Sequence, residues 1–365
     1  MSKFERLDYI DIFRGIALLI MVSIQIFDYL SVSNIYTTKP YYVETINSVT
    51  WVPPSLLFTF VSGMSVFLLV QKLRQNSNLN RKKSFLDIVK RYGKYILISL
   101  PFTLIMWNIS IFLGWEEAIQ GIGLTAIFLA GFLLIFFSNK KNMSKLSYIF
   151  LILLIVGFAF LSSKLPSLID NSRFFTNFPR TIGLDYISLI SVIGTMFLNA
   201  FFRGWFSIVN LFPIMLGGIL MLGLIRRRVS FNKMMLFSLL FLFFSIFLHL
   251  IGYKIDYYGR SFSFTFFAIG ESALICSITY LIYNKIKNKF SIKIFDFLKT
   301  FGLTAFFVYI VHYLLILKVL QLTGLKDILN DSYSILITIP LVFLVYVLGR
   351  YYLRIRMKLP RILRL

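Results

Sequence analysis

The sequence predicts an all-α protein that crosses a membrane about ten times. Of its 365 residues, 58% are hydrophobic and 15% are charged, and the mean hydropathy is +0.81. A soluble domain carries about 25% charged residues, so this composition is typical of a chain that folds in lipid. The apolar residues also fall into runs of about 17–25 residues, the length that a helix needs to cross the hydrocarbon core.

Ten apolar runs are long enough to span. They lie at 10–30, 52–71, 95–113, 121–138, 146–163, 205–225, 234–253, 263–284, 300–320 and 334–350. We see no soluble domain, linker or repeat between them, and we therefore predict one transmembrane domain over 1–365. The first run follows Lys3 and Arg6 and shows no small-residue cleavage site, so we interpret it as an uncleaved helix.

The basic residues predict the orientation of the chain. With the N-terminus in the cytoplasm, 29 of the 38 Lys and Arg residues fall on the cytoplasmic side, and the positive-inside rule then puts both termini there. We expect an integral multi-pass protein, in the cell membrane if the source is prokaryotic. The net charge of +23 is explained by this topology and by anionic lipid headgroups, and we predict no nucleic-acid binding.

One further apolar segment, 185–202, is nearly long enough to span. An eleventh span there would move the arginines at 226–228 and the basic C-terminal tail to the outside. We therefore predict an interfacial or re-entrant helix on the outer side, where irregular backbone is tolerated against protein or a water-filled cavity.

Four ionisable residues lie at or near membrane depth, where such groups are costly and mark functional candidates: His312, Glu271, His249 and Asp28. At about 1.5 Å per helical residue, His312 and Glu271 both lie about 12 Å from the outer face. An imidazole and a carboxylate at matching depth can form an acid–base pair. The structural alternative is a histidine that bonds a serine or a backbone carbonyl. The single cysteine, Cys276, excludes a disulfide framework, and we predict no metal site.

A charged pair opens the first helix. Asp11 and Arg14 are three residues apart and share one helical face. They form either an internal staple or a site in which Arg14 faces a phosphate that enters from the cytoplasm. Gly15 beside them permits close approach of another backbone.

The stretch "RLDYIDIFRGIALLIMV" resembles the first membrane helix of the heparan-α-glucosaminide N-acetyltransferase family. The residues that meet the family pattern are Arg6, Leu7, Asp11, Arg14, Gly15, Ala17, Leu18 and Met21. Three later stretches are similar to further family helices, in the expected order. The first contains Gly63, the second contains Pro213, Gly217 and Gly223, and the third contains Gly302, Tyr309 and His312.

The resemblance implies a ten-helix bundle that moves an acetyl group from cytoplasmic acetyl-CoA to an amino or hydroxyl group of a sugar or glycan on the outer side. For the donor we predict contacts from Arg6, Asp11, Arg14 and Tyr309. For catalysis we predict His312, with Glu271 orienting its ring, and as further candidates His249 and Asp28. Apolar outer helix faces allow a homodimer.

The chain departs from the family pattern at one point. The family's proposed catalytic histidine lies just after the first helix, whereas the stretch 25–55 holds no histidine here and offers Gln25, Asp28 and Glu44. An exposed carboxylate, with a pKa near 4, is a poor base for a sugar amine. Either His312 or His249 has taken over, or the chain is a non-enzymatic transporter or assembly subunit that kept the fold and lost the chemistry.

Overall fold

The computed structural model describes residues 8–32, 54–75, 80–106, 118–136, 144–170, 189–204, 206–256, 261–285 and 289–358. Most of these residues form helices joined by short turns and irregular segments, and within the described ranges there is one isolated bridge, between Ser31 and Leu329. The helices are α1 Asp8–Leu30, α2 Pro54–Gln75, α3 Arg81–Met106, α4 Ala118–Phe136, α5 Lys145–Asp170, α6 Leu189–Leu198, α7 Ile208–Arg226, α8 Phe231–Leu250, α9 Phe262–Lys285, α10 Lys289–Leu303, α11 Ala305–Val311, α12 Lys318–Leu322 and α13 Asp331–Ile355. Two π-helical segments, Asn199–Arg203 and His312–Leu317, and a 3₁₀ turn, Arg356–Lys358, complete the set.

The spans agree with the sequence prediction. Within the described ranges, nine stretches are long and apolar enough to cross a membrane. They match nine of the ten predicted runs, and the chain is an all-α, integral, multi-pass membrane protein. The remaining run, 95–113, falls partly on α3 and continues beyond Met106, outside the described residues.

The chain packs as two compact units. Of the described residues, those within 3–58 and 278–365 form the first unit, and those within 59–277 form the second. The chain passes between the units within α2 and within α9. This division concerns packing alone, and the single transmembrane domain over 1–365 stays a prediction.

In the first unit, α1 packs against α10 with the two backbones in contact. A Cβ built on Gly15 would lie 1.8 Å from the carbonyl oxygen of Leu298, and one built on Gly302 would lie 1.8 Å from that of Asp11. Only glycine fits at such a crossing, and small residues are common where membrane helices pack closely.

The far end of α1 is closed by the segment that leads into α13. The backbone N–H of Val32 donates to the carbonyl of Leu329 at 2.8 Å, and the N–H of Leu329 donates to the carbonyl of Leu30 at 2.9 Å. Asn330 caps α13 by accepting from the N–H of Tyr333. These contacts tie the last turn of α1 to the first turn of α13.

In the second unit, α7 is buried along almost its whole length, and α4 and α5 pack against it. It begins after a break: the π segment Asn199–Arg203 ends at the extended residue Gly204, and the next helix starts at Ile208. The predicted helix over 185–202 corresponds to α6 and part of this π segment. Residues 185–188 lie outside the described ranges, and the interfacial position stays a prediction.

We expect the crossing of α1 and α10 to be intolerant of a single added methyl group. Gly15→Ala places a Cβ against a backbone oxygen that no side-chain rotation can move, so it should lower the free energy of unfolding by about 1–3 kcal/mol. Thermal unfolding in detergent measures this. The matched control is Gly157→Ala in α5, where a Cβ meets nothing within 4 Å, and this variant should be neutral or slightly more stable. Equal melting temperatures for the two variants would contradict the close crossing.

Candidate functional site

The most buried ionisable group of the first unit is His312, which begins the π-helical segment His312–Leu317 and is fully shielded from solvent. Its Nδ1 lies 3.1 Å from the carbonyl oxygen of Val308, and its Nε2 lies 2.7 Å from Oε1 of Gln25. π-Helical insertions in helices occur frequently at functional sites. Here the insertion lies at the residue whose ring reaches across to α1.

Gln25 joins His312 to a second side chain. Its Nε2 donates to the hydroxyl oxygen of Tyr313 at 2.6 Å. In this orientation of the Gln25 amide, both ring nitrogens of His312 face carbonyl oxygens. Carbonyl oxygens can only accept hydrogen bonds, so both ring nitrogens must donate, and the ring is an imidazolium. With the amide rotated by 180°, its N–H donates to a neutral ring at Nε2 and its oxygen accepts from Tyr313.

Both ring nitrogens of His312 are therefore hydrogen-bonded in either orientation of the Gln25 amide. The ring also lies against Tyr313, with 4.3 Å between the centroids, and against Tyr309, at 5.5 Å. Tyr309, predicted for the donor site, is thus part of the wall around the imidazole.

Asp28 lies one turn beyond Gln25 on α1. Its side chain is buried, with the residue 7% exposed, and among the described residues Oδ1 has no hydrogen-bond partner. A further turn along, Ser31 donates its hydroxyl proton to the carboxylate of Asp331 at 2.5 Å. Gln25 and Asp28 in α1 and Ser31 just after its end are spaced three residues apart, so each is a neighbour of the next.

The other two catalytic candidates lie in the second unit. Glu271 is half-buried in α9, and its predicted pairing with His312 stays a prediction. Within the first unit, the residue that holds the imidazole is Gln25. His249 is exposed in the last turn of α8, where its Nδ1 accepts from the backbone N–H of Ile255 at 3.1 Å, a contact that shapes the end of that helix.

At the other end of α1, Arg14 takes part in a staple. Its Nη1 donates to the carboxylate of Asp11 at 3.0 Å and to the carbonyl oxygen of Gly302 at 3.2 Å. Of the two alternatives left open by the sequence, these contacts match the internal one, while the phosphate contact stays a prediction. Arg6 lies outside the described ranges. In the described part of the chain, no group of three or more His, Cys, Asp or Glu could hold a metal ion.

The fold defines an all-α, multi-pass membrane protein, and its first unit holds a buried polar network between helices. The family model for the catalytic region of heparan-alpha-glucosaminide N-acetyltransferase matches residues 6–207, more than half of the chain. The chain belongs to this family and is a membrane enzyme of the acetyltransferase type. Among curated proteins, no match to the chain was found.

The matched region confirms the family resemblance and contains two of the motifs that carry it. The first-helix pattern and the stretch with Gly63 lie inside the match, whereas Pro213 and His312 lie beyond it. The roles assigned to those later residues therefore stay predictions.

The sequence did not reveal the hydrogen bonds among Gln25, His312 and Tyr313. In the sequence, Gln25 is one of three polar candidates after the family motif, and no motif marks Tyr313. The signal available in the sequence was a glutamine inside an apolar helix, because a buried amide in lipid needs a partner.

We expect Arg14 and Asp11 to act as one structural contact. Arg14→Gln and Asp11→Asn should each lower the free energy of unfolding by about 1–3 kcal/mol, because each removes the 3.0 Å ion pair between the two side chains. The double variant should lose little more than either single variant, which a double-mutant cycle in detergent can measure. Additive losses, or unchanged stability with weaker acetyl-CoA binding, would favour the phosphate role instead.

Proposed function

We propose that the protein transfers an acetyl group from cytoplasmic acetyl-CoA to an amino or hydroxyl group of a sugar or glycan on the outer side of the membrane. The observation that carries this proposal is the family match over residues 6–207. The positive-inside distribution of Lys and Arg supports the assignment of the donor to the cytoplasmic side.

The reaction centre is proposed to lie at the network of His312, Gln25 and Tyr313. Buried polar networks among apolar helices are expensive unless every member is bonded, and intramembrane ionisable residues are commonly functional. The network holds one ring and one amide in fixed positions and keeps water away from them. Holding two substrates next to such a centre can supply much of the acceleration of an acyl transfer.

The basic residues at and near the start of α1 are poorly suited to bind the nucleotide part of acetyl-CoA. Arg14 is bonded to Asp11, and Lys299 lies 2.8 Å from the carboxylate of Asp8, so both cations already have anionic partners. Exposed basic residues at the start of α3, Arg81 and its two lysine neighbours, are better placed to attract phosphates from solution.

Acetyl transfer by the purified protein in nanodiscs tests the proposal. With labelled acetyl-CoA and glucosamine, the wild type should form labelled product, and His312→Ala should reduce the rate by about 10²-fold or more, because the network loses its central member. Thr338→Val is the matched control. It removes a buried hydroxyl of the first unit whose hydrogen-bond partner among the described residues is the carbonyl of Ser334, and it should leave the rate unchanged.

Three other outcomes would revise the proposal. Undiminished transfer by His312→Ala would place the reaction centre elsewhere in the chain. Binding of acetyl-CoA without transfer would mean that glucosamine is the wrong acceptor. No transfer and no binding of acetyl-CoA would favour the non-enzymatic transporter or assembly subunit.

The predicted orientation can be tested at the two ends of α8. Lys233→Cys, at the start of the helix, should be protected in intact cells from a membrane-impermeant maleimide, whereas Lys254→Cys, after its end, should be labelled. The native Cys276 is buried and gives a low background. The reverse labelling pattern would invert the topology and move the donor to the other side.

A further inference from the structure

We propose that Asp28, and not His312, takes the proton from the acceptor during acetyl transfer, an inference that rests on the proposed function. In this assignment His312 is a positioning residue, which holds Gln25 and the adjoining turn of α1. The structural basis is the contrast between the two side chains. The imidazole has both nitrogens hydrogen-bonded, while Asp28 keeps a carboxylate oxygen without a hydrogen-bond partner among the described residues.

A base must present a lone pair to the group that it deprotonates. In His312, Nδ1 faces the carbonyl oxygen of Val308, and this bond fixes a proton on Nδ1. The remaining nitrogen, Nε2, is 2.7 Å from the amide of Gln25, whose other atom is bonded to Tyr313. For the imidazole to reach a substrate, the contacts with Gln25 and Tyr313 would have to break.

Asp28 is held in place by contacts on both sides of it along α1. One turn before it, Gln25 bonds the π-helical segment, and one turn after it, Ser31 bonds Asp331 at the start of α13. Residues three apart on a helix are neighbours, so Asp28 lies on the helix surface between these two anchor points. The hydrogen bonds of Val32 and Leu329 close the end of the same helix.

A buried carboxylate oxygen without a partner is uncommon in folded proteins, where nearly all buried polar atoms are hydrogen-bonded. Each such atom calls for an explanation, and an ionisable residue inside a membrane helix is retained at a cost. The carboxylate therefore fits a group that receives a hydrogen bond only when the acceptor substrate is bound.

The chemical step balances with Asp28 as the base. The acceptor's nitrogen or oxygen forms a bond to the acetyl carbonyl carbon, and the acceptor's proton passes to Oδ1 of Asp28. The carbon–sulfur bond then breaks, and the proton moves from Asp28 to the departing thiolate. The products are the acetylated acceptor and CoA, and the carboxylate is restored.

The test compares Asp28→Asn with a control carboxylate on the same end of the unit. Asp28→Asn should lower kcat by about 10²–10⁴-fold, with a much smaller effect on the KM for glucosamine, because the amide fills the same space but takes no proton. Asp327→Asn is the control. Asp327 lies at the same end of α1, where its backbone N–H donates to the carbonyl of Tyr29, and asparagine tolerates its φ of 60°, so this variant should keep nearly full activity.

Three further measurements distinguish a catalytic base from a structural residue. Formate should restore part of the activity of Asp28→Ala by supplying a carboxylate to the vacated space. His312→Gln, which keeps an amide next to Gln25, should be markedly more active than Asp28→Asn. Asp28→Asn should also melt no lower than the wild type, because it removes a charge that the described residues leave unpaired at Oδ1.

The inference and the proposed function fail in different ways. If the wild type transfers acetyl and Asp28→Asn does so equally well, Asp28 is not the base, and the proposed function stands. A lower melting temperature of Asp28→Asn without rescue of Asp28→Ala by formate would make the carboxylate structural and would overturn the inference. If the wild type neither transfers acetyl nor binds acetyl-CoA, the proposed function falls, and the assignment of Asp28 falls with it.

Discussion

The register of the helices in the first unit depends on the contact between the backbones of α1 and α10. At this crossing Gly15 contacts Gly302. Ten residues later in both segments, Gln25 contacts His312. The sequence separation is the same at both points, so the two segments run in the same direction and keep their register over about 15 Å at a rise of about 1.5 Å per residue. The glycine contact therefore determines which residue of α1 faces the imidazole. A one-residue shift would turn the glutamine away by about 100°.

Inside this unit, the polar side chains differ in how their hydrogen-bonding needs are met. Hydroxyls such as those of Thr304 and Thr338 donate to the carbonyl four residues before them and need no other partner. The guanidinium of Arg14 has a carboxylate and a carbonyl, and the imidazole of His312 has a carbonyl and an amide. Among the described carboxylates of this unit, Asp28 and Asp327 each have a buried oxygen without a hydrogen-bond partner. The other oxygen of Asp327 lies 3.6 Å from Nζ of Lys326, and no such ion pair is seen for Asp28 among the described residues.

The sequence could predict the spans, because hydropathy and length are local properties and nine of the ten runs match described helices. It could also predict that His312 is buried and that Gly15 permits a close approach. It could not predict that Gly15 meets Gly302, or that the partner of His312 is Gln25, because these contacts depend on the register of segments almost 290 residues apart. The matching depths of His312 and Glu271 indicated a pair, but depth alone does not determine which helix faces which.

The departure from the family pattern has a physical interpretation in this structure. The family histidine expected after the first helix is missing, but the last turns of that helix carry a buried carboxylate beside an amide that is bonded to an imidazole. When an amine attacks a carbonyl carbon, its nitrogen becomes positively charged and readily loses a proton, so a carboxylate is basic enough for the step if it is close by and shielded from water. In the proposed reaction, proximity compensates for weak basicity. A hydroxyl acceptor would not gain in this way, because it must lose its proton as it attacks, and a carboxylate base thus favours an amine as the acceptor.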